Sequence, residues 1–351
     1  MSTMIKCMLF FVFSIVLFTR CIDEVRLNID NDRQWLVVDG LVADSLQDYS
    51  ISVYYSAIIG LGSDNIKTPV TGASVRVLDD AGGVFEFPET SGGQYTRYMQ
   101  GEVGKTYQVE VKTADGKTIL SRPATLQKAP GQFTGTTKAV KETTISPAGA
   151  TTSSDRVALE VSSDVSGMPE RPYLRWRAIG EYEFRENYPT GLGTKICYVP
   201  NNVDFNNIKI FDTNELSDGL LTHEPFLTTV FNYRFAFMYC FHMFQYAISK
   251  EEYQYWSSVR DIVNLDGSLF DPPPGTVKGN LYNPDDSTER ILGYFSVAGV
   301  SYNRTFTNAP NLGLYVNPNC NPNARRSQFS ECRECDNIPL STMTRPWYWE
   351  P

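Results

Sequence analysis

Residues 68–121 read TPVTGASVRVLDDAGGVFEFPETSGGQYTRYMQGEVGKTYQVEVKTADGKTILS, a stretch in which short runs alternate with glycine-rich turns. The runs are rich in β-branched and aromatic residues, as strands are, and lie at 73–78, 84–87, 95–98, 106–112 and 118–121. Short strands with a turn signal roughly every 8–12 residues are typical of a β-sandwich. The sequence therefore predicts an N-terminal β-sandwich domain over residues 35–125.

A second β-domain is predicted over residues 156–315. Residues 156–164 alternate apolar and polar side chains, and residues 173–186 (YLRWRAIGEYEFRE) alternate large apolar residues with charged ones. Residues 227–249 are apolar on both faces, as in a strand that protein covers on both sides. Residues 126–155 are rich in Thr, Ser, Gly, Ala and Pro, and are predicted to form a linker or an edge region.

One helix, at about 250–263, is predicted within the second domain. Ser249 and Glu252 match a capping box, which is a sequence signature of a helix start. Apolar residues then recur at helical spacing at Tyr253, Trp256, Val259 and Val263, and this stripe is expected to pack on the sheet. The predicted class is mainly all-β, with two β-sandwich domains of an Ig-like or carboxypeptidase-regulatory-like kind.

Composition and charge exclude some partners. The chain of 351 residues has a formal net charge of −9 and a 13% aromatic content. An acidic chain without a cluster of Lys and Arg is a poor binder of nucleic acid, so no nucleic-acid partner is expected. Its two histidines leave little material for a histidine-based metal centre, and we predict no metal site and no cofactor.

The first 20 residues predict export. Lys6 precedes an apolar run over residues 7–18, which is too short for a permanent membrane span and suits a signal peptide. The run leads into Cys21, as in a bacterial lipobox, although Arg20 stands where a small residue is usual. We therefore predict lipid attachment at Cys21, with residues 21–34 as an acidic tether. The alternative is an ordinary secretory signal with an incidental cysteine.

Five cysteines follow Cys21 in the sequence. Cys320, Cys332 and Cys335 lie in a predicted C-terminal tail and give three thiolates without a nearby histidine, one ligand short of a structural zinc site. In an exported protein, disulfides that fasten the tail are the favoured interpretation, with Cys197 as a further candidate partner. The pairing stays open. Cys240, within the most apolar run, is predicted to be a buried free thiol.

The C-terminal tail, predicted over residues 316–351, ends in the aromatic run Trp347, Tyr348 and Trp349. Exposed aromatic side chains tend to mark interfaces, so these three residues are the candidate partner interface. The aromatic residues of the predicted helix are instead expected to pack in the core.

No catalytic residue is predicted. The segment 101–106 (GEVGKT) resembles a phosphate loop, but Met99 stands where the motif needs its first glycine and a strand follows instead of a helix. Acidic residues that could serve a glycosidase are Asp79, Asp80, Asp266, Asp271, Asp285, Asp286 and Glu289. Most of them lie in predicted turns, where Asp commonly binds neighbouring backbone groups.

Several motifs together resemble one family. They are the LVVDGLV run at 36–42, PVTGASVRVLDDAGG at 69–83, EEYQYW at 251–256, GSLFDPPP at 267–274, LGYF at 292–295 and the final C-x-x-C before RPWYW. The chain in this respect resembles the Bacteroidota lipoproteins built on the domain of unknown function 4249. The resemblance implies an outer-membrane lipoprotein that partners a TonB-dependent transporter, with no assigned enzymatic residues. Asp23 and Glu24 resemble the signal that sends such lipoproteins to the cell surface.

The expected function is therefore a non-enzymatic, surface-exposed outer-membrane lipoprotein. It would be held on the membrane by its lipid anchor, associate with a SusC-like TonB-dependent transporter and assist capture or uptake of a substrate, with a peptide or a glycan as the ligand classes considered. Two alternatives stay open at this point. One is a surface hydrolase of glycans or peptides, and the other is a structural or adhesion β-sandwich lipoprotein.

Overall fold

The computed structural model describes residues 34–56, 67–146, 149–168, 170–186, 195–203, 207–264, 277–316 and 335–349. Several predicted features lie outside the described residues: the signal peptide, most of the tether, Cys21, Asp23, Glu24, Asp266, Asp271, Cys320 and Cys332. Within the described ranges, no helix is both long and apolar enough to cross a membrane.

Nineteen strands form in the described residues. The first ten are β1 (Leu36–Ala43), β2 (Gln47–Tyr55), β3 (Thr68–Pro69), β4 (Ser74–Asp79), β5 (Val84–Phe87), β6 (Glu89–Ser91), β7 (Gln94–Met99), β8 (Thr106–Lys112), β9 (Thr118–Ser121) and β10 (Ala124–Thr125). The others are β11 (Phe133–Ile145), β12 (Thr151–Asp164), β13 (Tyr173–Arg185), β14 (Ile196–Asn201), β15 (Lys209–Asp212), β16 (Leu220–Val230), β17 (Tyr239–Ile248), β18 (Leu281–Tyr282) and β19 (Phe295–Thr307). One α-helix, α1 (Lys250–Val263), and short 3-10 helices at Thr213–Glu215, Tyr233–Phe235 and Cys335–Asn337 complete the described elements.

The strands form three sheets. A 10-stranded sheet has the order β14-β13-β17-β19-β1-β2-β7-β6, with β15 and β3 added beside β13 and β2. A 6-stranded sheet has the order β18-β9-β8-β4-β5, with β10 beside β8. A 3-stranded sheet has the order β11-β12-β16. The predicted all-β class, with sandwich-like packing and one helix, is confirmed.

Strand β1 holds the large sheet together at its centre. It pairs antiparallel with its neighbour β2 and parallel with β19, where Gly40 lies beside Phe295 and Val42 beside Val297. Gly293 leads into β19 with a φ of +95°, and a Cβ there would lie 2.0 Å from the Val38 carbonyl oxygen. Only glycine tolerates both this backbone conformation and this close approach, which explains the glycine of the LGYF motif.

Two hydrophobic cores lie against the large sheet. One joins β1, β2 and β19 to β4, β8 and β9 of the 6-stranded sheet, with buried side chains such as Ile51 and Val109. The other joins β13 and β17 to β12 and β16 of the 3-stranded sheet, with Trp176 and Leu159. The buried Trp176 indole donates to the Gln245 side-chain oxygen at 2.9 Å, which satisfies both polar groups inside the core.

The described part of residues 126–155 contains β11, which pairs along its whole length with β12. As the outer strand of its sheet, β11 exposes many of its side chains, and its sequence is accordingly polar and rich in Thr and Lys. Strand β1 belongs to the predicted first domain and β19 to the predicted second, yet both are central strands of one sheet. The domain boundaries themselves stay a prediction.

Helix α1 begins as the capping box predicts. The Ser249 hydroxyl accepts from the Glu252 backbone N–H at 3.1 Å. The Glu252 side chain turns inward and is buried, where it accepts from the Ser296 hydroxyl and from the Trp256 indole. Tyr253 and Trp256 pack against a cluster around Ile248 on β17, so the helix lies on the large sheet.

The C-terminal tail wraps the edge of the large sheet. Cys335 forms a disulfide with Cys197 on the edge strand β14, which confirms the predicted fastening of the tail and gives its pairing. Further along, Thr342 exchanges two backbone hydrogen bonds with Tyr198, so the tail covers part of the otherwise open strand. Cys240 is a buried free thiol, as predicted.

Loss of the Cys197–Cys335 disulfide is predicted to destabilise the fold. The two residues are separated by 138 positions, and closing so long a loop restricts the unfolded chain, which corresponds to about 2–5 kcal/mol of unfolding free energy. The double variant Cys197→Ser/Cys335→Ser is compared with the parent by urea denaturation, with and without reductant. Reductant should destabilise the parent and have a much smaller effect on the double variant.

The control is Cys240→Ala, which removes a cysteine that is buried and unpaired. This variant should keep the parent's sensitivity to reductant. Equal sensitivity of the parent and of the double variant would contradict the assigned disulfide.

Candidate functional site

The outer face of the large sheet carries the candidate site. Side chains alternate along each strand, so residues such as Leu174 and Met243 enter the core while Arg175, Phe244 and Tyr302 point to the other face. Helix α1 covers this outer face near Ile248, and the C-terminal tail covers it near Cys240, at the opposite end of β17. The sheet surface between the two covers is open.

A buried ion pair lies beneath α1. The Arg175 guanidinium is 3.5 Å from the Trp256 ring centroid, and one of its nitrogens is 3.9 Å from the Glu252 carboxylate. Glu252 also accepts from the Ser296 hydroxyl at 2.8 and 2.9 Å. Burial raises the pKa of Glu252 and lowers that of Arg175, because both charges are removed from water. The pair fastens the helix to β13 and β19.

Beside this ion pair lies a cavity that we call the helix pocket. It is lined by Asp39, Gly40, Leu41, Ser50, Ser52, Arg175, Arg177, Tyr246, Trp256, Tyr294 and Ser296. Its volume is about 160 Å³. The lining combines charged, hydroxyl and aromatic groups from β1, β2, β13, β17, β19 and α1. None of these residues was singled out as a site from the sequence, because only the pairing of distant strands brings them together.

An aromatic strip runs from the open sheet surface to the tail. We define it as Phe244, Tyr302, His242, Tyr348 and Trp347. The ring centroids are 5.1 Å apart for Phe244 and Tyr302, 6.1 Å for Tyr302 and His242, 5.1 Å for His242 and Tyr348, and 5.5 Å for Tyr348 and Trp347. The strip is therefore a continuous row of neighbouring rings across β17, β19 and the tail.

Arg304 lies within the aromatic strip. Its guanidinium carbon is 4.6 Å from the Tyr302 ring centroid, 4.1 Å from that of Tyr348 and 4.9 Å from that of Trp347. One cation thus contacts three rings, and each such contact contributes about 0.5–1 kcal/mol at exposed sites. Arg304 therefore holds the tail rings against the sheet.

Hydrogen bonds further order the strip. The Tyr302 hydroxyl is 2.5 Å from His242 Nδ1, and His242 Nε2 is 3.2 Å from the Glu181 carboxylate. The Tyr348 hydroxyl donates to the same carboxylate at 2.8 Å. Carboxylate, imidazole and hydroxyl follow the order of a nucleophilic triad. Burial raises the pKa of Tyr302 to about 12. The hydrogen bond between its hydroxyl and His242 holds the two rings in a fixed orientation.

The three aromatic residues predicted at the interface differ in exposure. Trp347 is 85% exposed and Tyr348 is partly buried, whereas Trp349 is only 3% exposed. The Trp349 indole donates to the Glu183 carboxylate at 3.2 Å and its ring packs on Tyr198. The expectation that Trp349 is exposed is therefore corrected: it fastens the tail to the sheet, because its indole N–H finds a buried acceptor.

Three of the five described acidic candidates, Asp79, Asp286 and Glu289, have structural partners for their side chains. Glu289 forms an ion pair with Lys117 at 2.6 Å and accepts from Asn283, and these contacts lower its pKa. Asp79 accepts from the backbone N–H groups of Ala81 and Gly83, which lower its pKa in the same way. Both groups therefore stay ionised and support local turns. Burial raises the pKa of the Cys240 thiol to about 12, which keeps it protonated.

Fold and site together define a β-sandwich protein with an extended sheet face that is partly covered by one helix and by its own tail. The model of the family described as a domain of unknown function, DUF4249, matches residues 22–304. The chain belongs to this family. No curated protein matches the chain.

The buried Glu252 is predicted to make stability depend on pH. Because its pKa in the folded protein lies above the ordinary value of 4.5, its contribution to stability is fully present below that value and is lost as the pH rises through the folded-state pKa. The variant Glu252→Gln keeps a side-chain acceptor and has no proton to lose. The free energy of unfolding of the parent, relative to that of the variant, should fall by about 1.4 kcal/mol for each unit of pKa elevation.

Urea denaturation at a series of pH values between about 4 and 8 measures this difference. The matched control is Glu251→Gln, which removes a charge from the exposed side of the same helical turn. The prediction would be contradicted if the free energy of unfolding of the parent rose with pH relative to that of Glu252→Gln.

Proposed function

We propose that the protein is a non-enzymatic, surface-exposed outer-membrane lipoprotein that binds a TonB-dependent transporter and assists capture or uptake of its substrate. The observation that carries the proposal is the aromatic strip, a row of ordered rings on an open sheet face that ends in the exposed Trp347. Interfaces are enriched in aromatic residues and arginine, and the strip combines both.

The order within the strip supports a binding role. Arg304 and Glu181 contact the rings of both the sheet and the tail, so these side chains lose little conformational freedom when a partner docks. Pre-organised side chains reduce the entropic cost of association. A large aromatic residue on such a support is the usual form of an interface hot spot.

The N-terminal sequence supports membrane attachment. Cys21 follows a signal-like apolar run, and the family match begins at residue 22, directly after this cysteine. The predicted tether, residues 21–34, would separate the lipid from the first strand, which begins at Leu36. One lipid chain anchors weakly, whereas a multiply acylated Cys21 would hold the chain stably on a membrane.

The structural partners of Glu289 and Asp79 favour a structural role for these two carboxylates over a catalytic one. Glu289 is paired with Lys117, and Asp79 binds turn amides. The experiments below test this binding function against two alternatives, a hydrolase and an adhesion module.

The variant Cys21→Ala is predicted to move the protein from the outer-membrane fraction to the soluble exported fraction, because the chain loses its lipid. Fractionation and mass spectrometry of the N-terminal peptide measure the change. The control is Cys7→Ala, within the apolar run, which should leave attachment unchanged. Membrane attachment of Cys21→Ala equal to that of the parent would refute the lipid anchor.

The variant Trp347→Ala is predicted to weaken binding to the transporter by about thirtyfold, equivalent to about 2 kcal/mol, the usual size of a hot-spot effect. The tagged native lipoprotein is solubilised gently, the co-purifying barrel is isolated, and its affinity for each variant is measured by surface plasmon resonance. Tyr315→Ala is the matched control, because Tyr315 is 83% exposed and Trp347 is 85% exposed.

Purification without a barrel under these conditions would refute association with a transporter. Hydrolysis of a glycan or peptide by the purified protein would favour the hydrolase. Adhesion by the lipoprotein that is unchanged in cells lacking the transporter would favour an adhesion module.

A further inference from the structure

The helix pocket contains two opposite charges that lack an ion-pair partner. Asp39 on β1 and Arg177 on β13 both line the cavity, and both are exposed to its solvent. Among the described residues, neither side chain has an oppositely charged atom within 4.0 Å, although Arg175, Arg177 and Lys67 act on Asp39 from farther away. Of the other charges nearby, Arg175 and Glu252 are engaged with each other beneath the helix, and the Lys67 ammonium lies 4.4 Å from the Tyr54 ring centroid.

This pattern of charge selects for a ligand that also has both charges. An anion alone would be attracted by Arg177 and repelled by Asp39. A cation alone would be attracted by Asp39 and repelled by Arg177. A zwitterion places its carboxylate at the guanidinium and its ammonium at the carboxylate, so each of the two charges gains a partner at close range. Nearby protein atoms exclude part of the water around the Asp39 carboxylate, which raises its pKa, whereas the charges of Arg175, Arg177 and Lys67 act in the opposite direction.

The size of the pocket limits the ligand. A cavity of about 160 Å³ is comparable to the engineered cavity of about 150 Å³ that holds benzene. An adjoining cavity of about 390 Å³ shares Asp39 and Ser52 with it and is also lined by Tyr54, Lys67 and Gln94. The space therefore suits a free amino acid or a dipeptide, and an oligosaccharide would exceed the helix pocket.

The Trp256 ring of the lining is already occupied on one face. A sugar commonly stacks on a free aromatic face, but the Arg175 guanidinium already lies 3.5 Å from the Trp256 ring centroid. Tyr255 approaches the same indole edge-on, with ring centroids 5.1 Å apart. The Tyr246 and Tyr294 rings of the lining still offer apolar contact to a small side chain.

We propose that the helix pocket binds a small zwitterion of amino-acid or dipeptide size, with its carboxylate at Arg177 and its ammonium at Asp39. The inference deepens the proposed function by naming the class of captured substrate, and rests on that function only for its role in uptake. Binding itself is measured on the lipoprotein alone. A failure of the pocket to bind a zwitterion is thus distinguishable from a failure of the lipoprotein to bind the transporter.

Isothermal titration calorimetry with the full lipidated chain in detergent tests the proposal. The probes are alanyl-alanine, N-acetyl-alanyl-alanine, which lacks the ammonium, and alanyl-alaninamide, which lacks the carboxylate. Alanyl-alanine is expected to bind, and each blocked analogue should bind at least about tenfold more weakly, because it leaves one pocket charge unpaired. The twenty free amino acids are tested in the same way at millimolar concentration.

Two variants assign each charge of the probe to its residue. In Asp39→Asn, alanyl-alanine and the N-acetyl analogue should bind with similar affinity, while the amide should still bind more weakly. In Arg177→Gln, alanyl-alanine and the amide should bind with similar affinity, while the N-acetyl analogue should still bind more weakly. Both residues are exposed, so the fold is expected to be retained, which thermal unfolding verifies. The proposal is overturned if neither alanyl-alanine nor any free amino acid binds, if the blocked analogues bind equally well, or if a variant removes the wrong discrimination.

Discussion

The parallel pairing of β1 with β19 is the contact on which the rest of the structure depends. It joins a strand near the start of the described chain to one that begins at Phe295, and the two then lie side by side at the centre of the large sheet. Without it, β2, β7 and β6 would separate from β13, β14 and β17. Both cores use the inner face of this sheet, so one long-range pairing supports both halves of the fold.

The same pairing creates the outer face. Asp39 lies on β1 and Arg177 on β13, with β19 and β17 between them in the strand order. The two charges share a cavity only because the sheet is continuous, and Trp256 of α1 lines one side of that cavity. The buried Arg175–Glu252 pair does not by itself make the helix stable, since desolvation offsets much of its attraction. Its hydrogen bonds from Ser296 and Trp256 compensate part of that cost and fix where the helix sits.

Local chemistry allowed much of the fold to be predicted from the sequence. Alternating runs and glycine turns located strands such as β4 and β8, and the Ser249 cap located α1. The β1–β19 pairing could not be predicted, because a parallel register depends on tertiary packing rather than on a nearby turn. The helix pocket follows from that pairing and was missed with it. The burial of Trp349 could not be predicted from the sequence either, since its hydrogen-bond acceptor Glu183 is distant in sequence.

The tail and the family domain share the aromatic strip between them. The family match ends at residue 304, so Phe244, Tyr302 and Arg304 lie inside it, whereas Trp347 and Tyr348 lie beyond it. The matched part supplies the groups that hold the tail: Glu181 accepts from Tyr348, Glu183 accepts from Trp349, and Cys197 binds Cys335. The disulfide reaches the tail at Cys335, and the two directional hydrogen bonds reach it at Tyr348 and Trp349. Together they hold the added rings in one orientation, so the tail extends a surface of the family domain instead of forming a separate one.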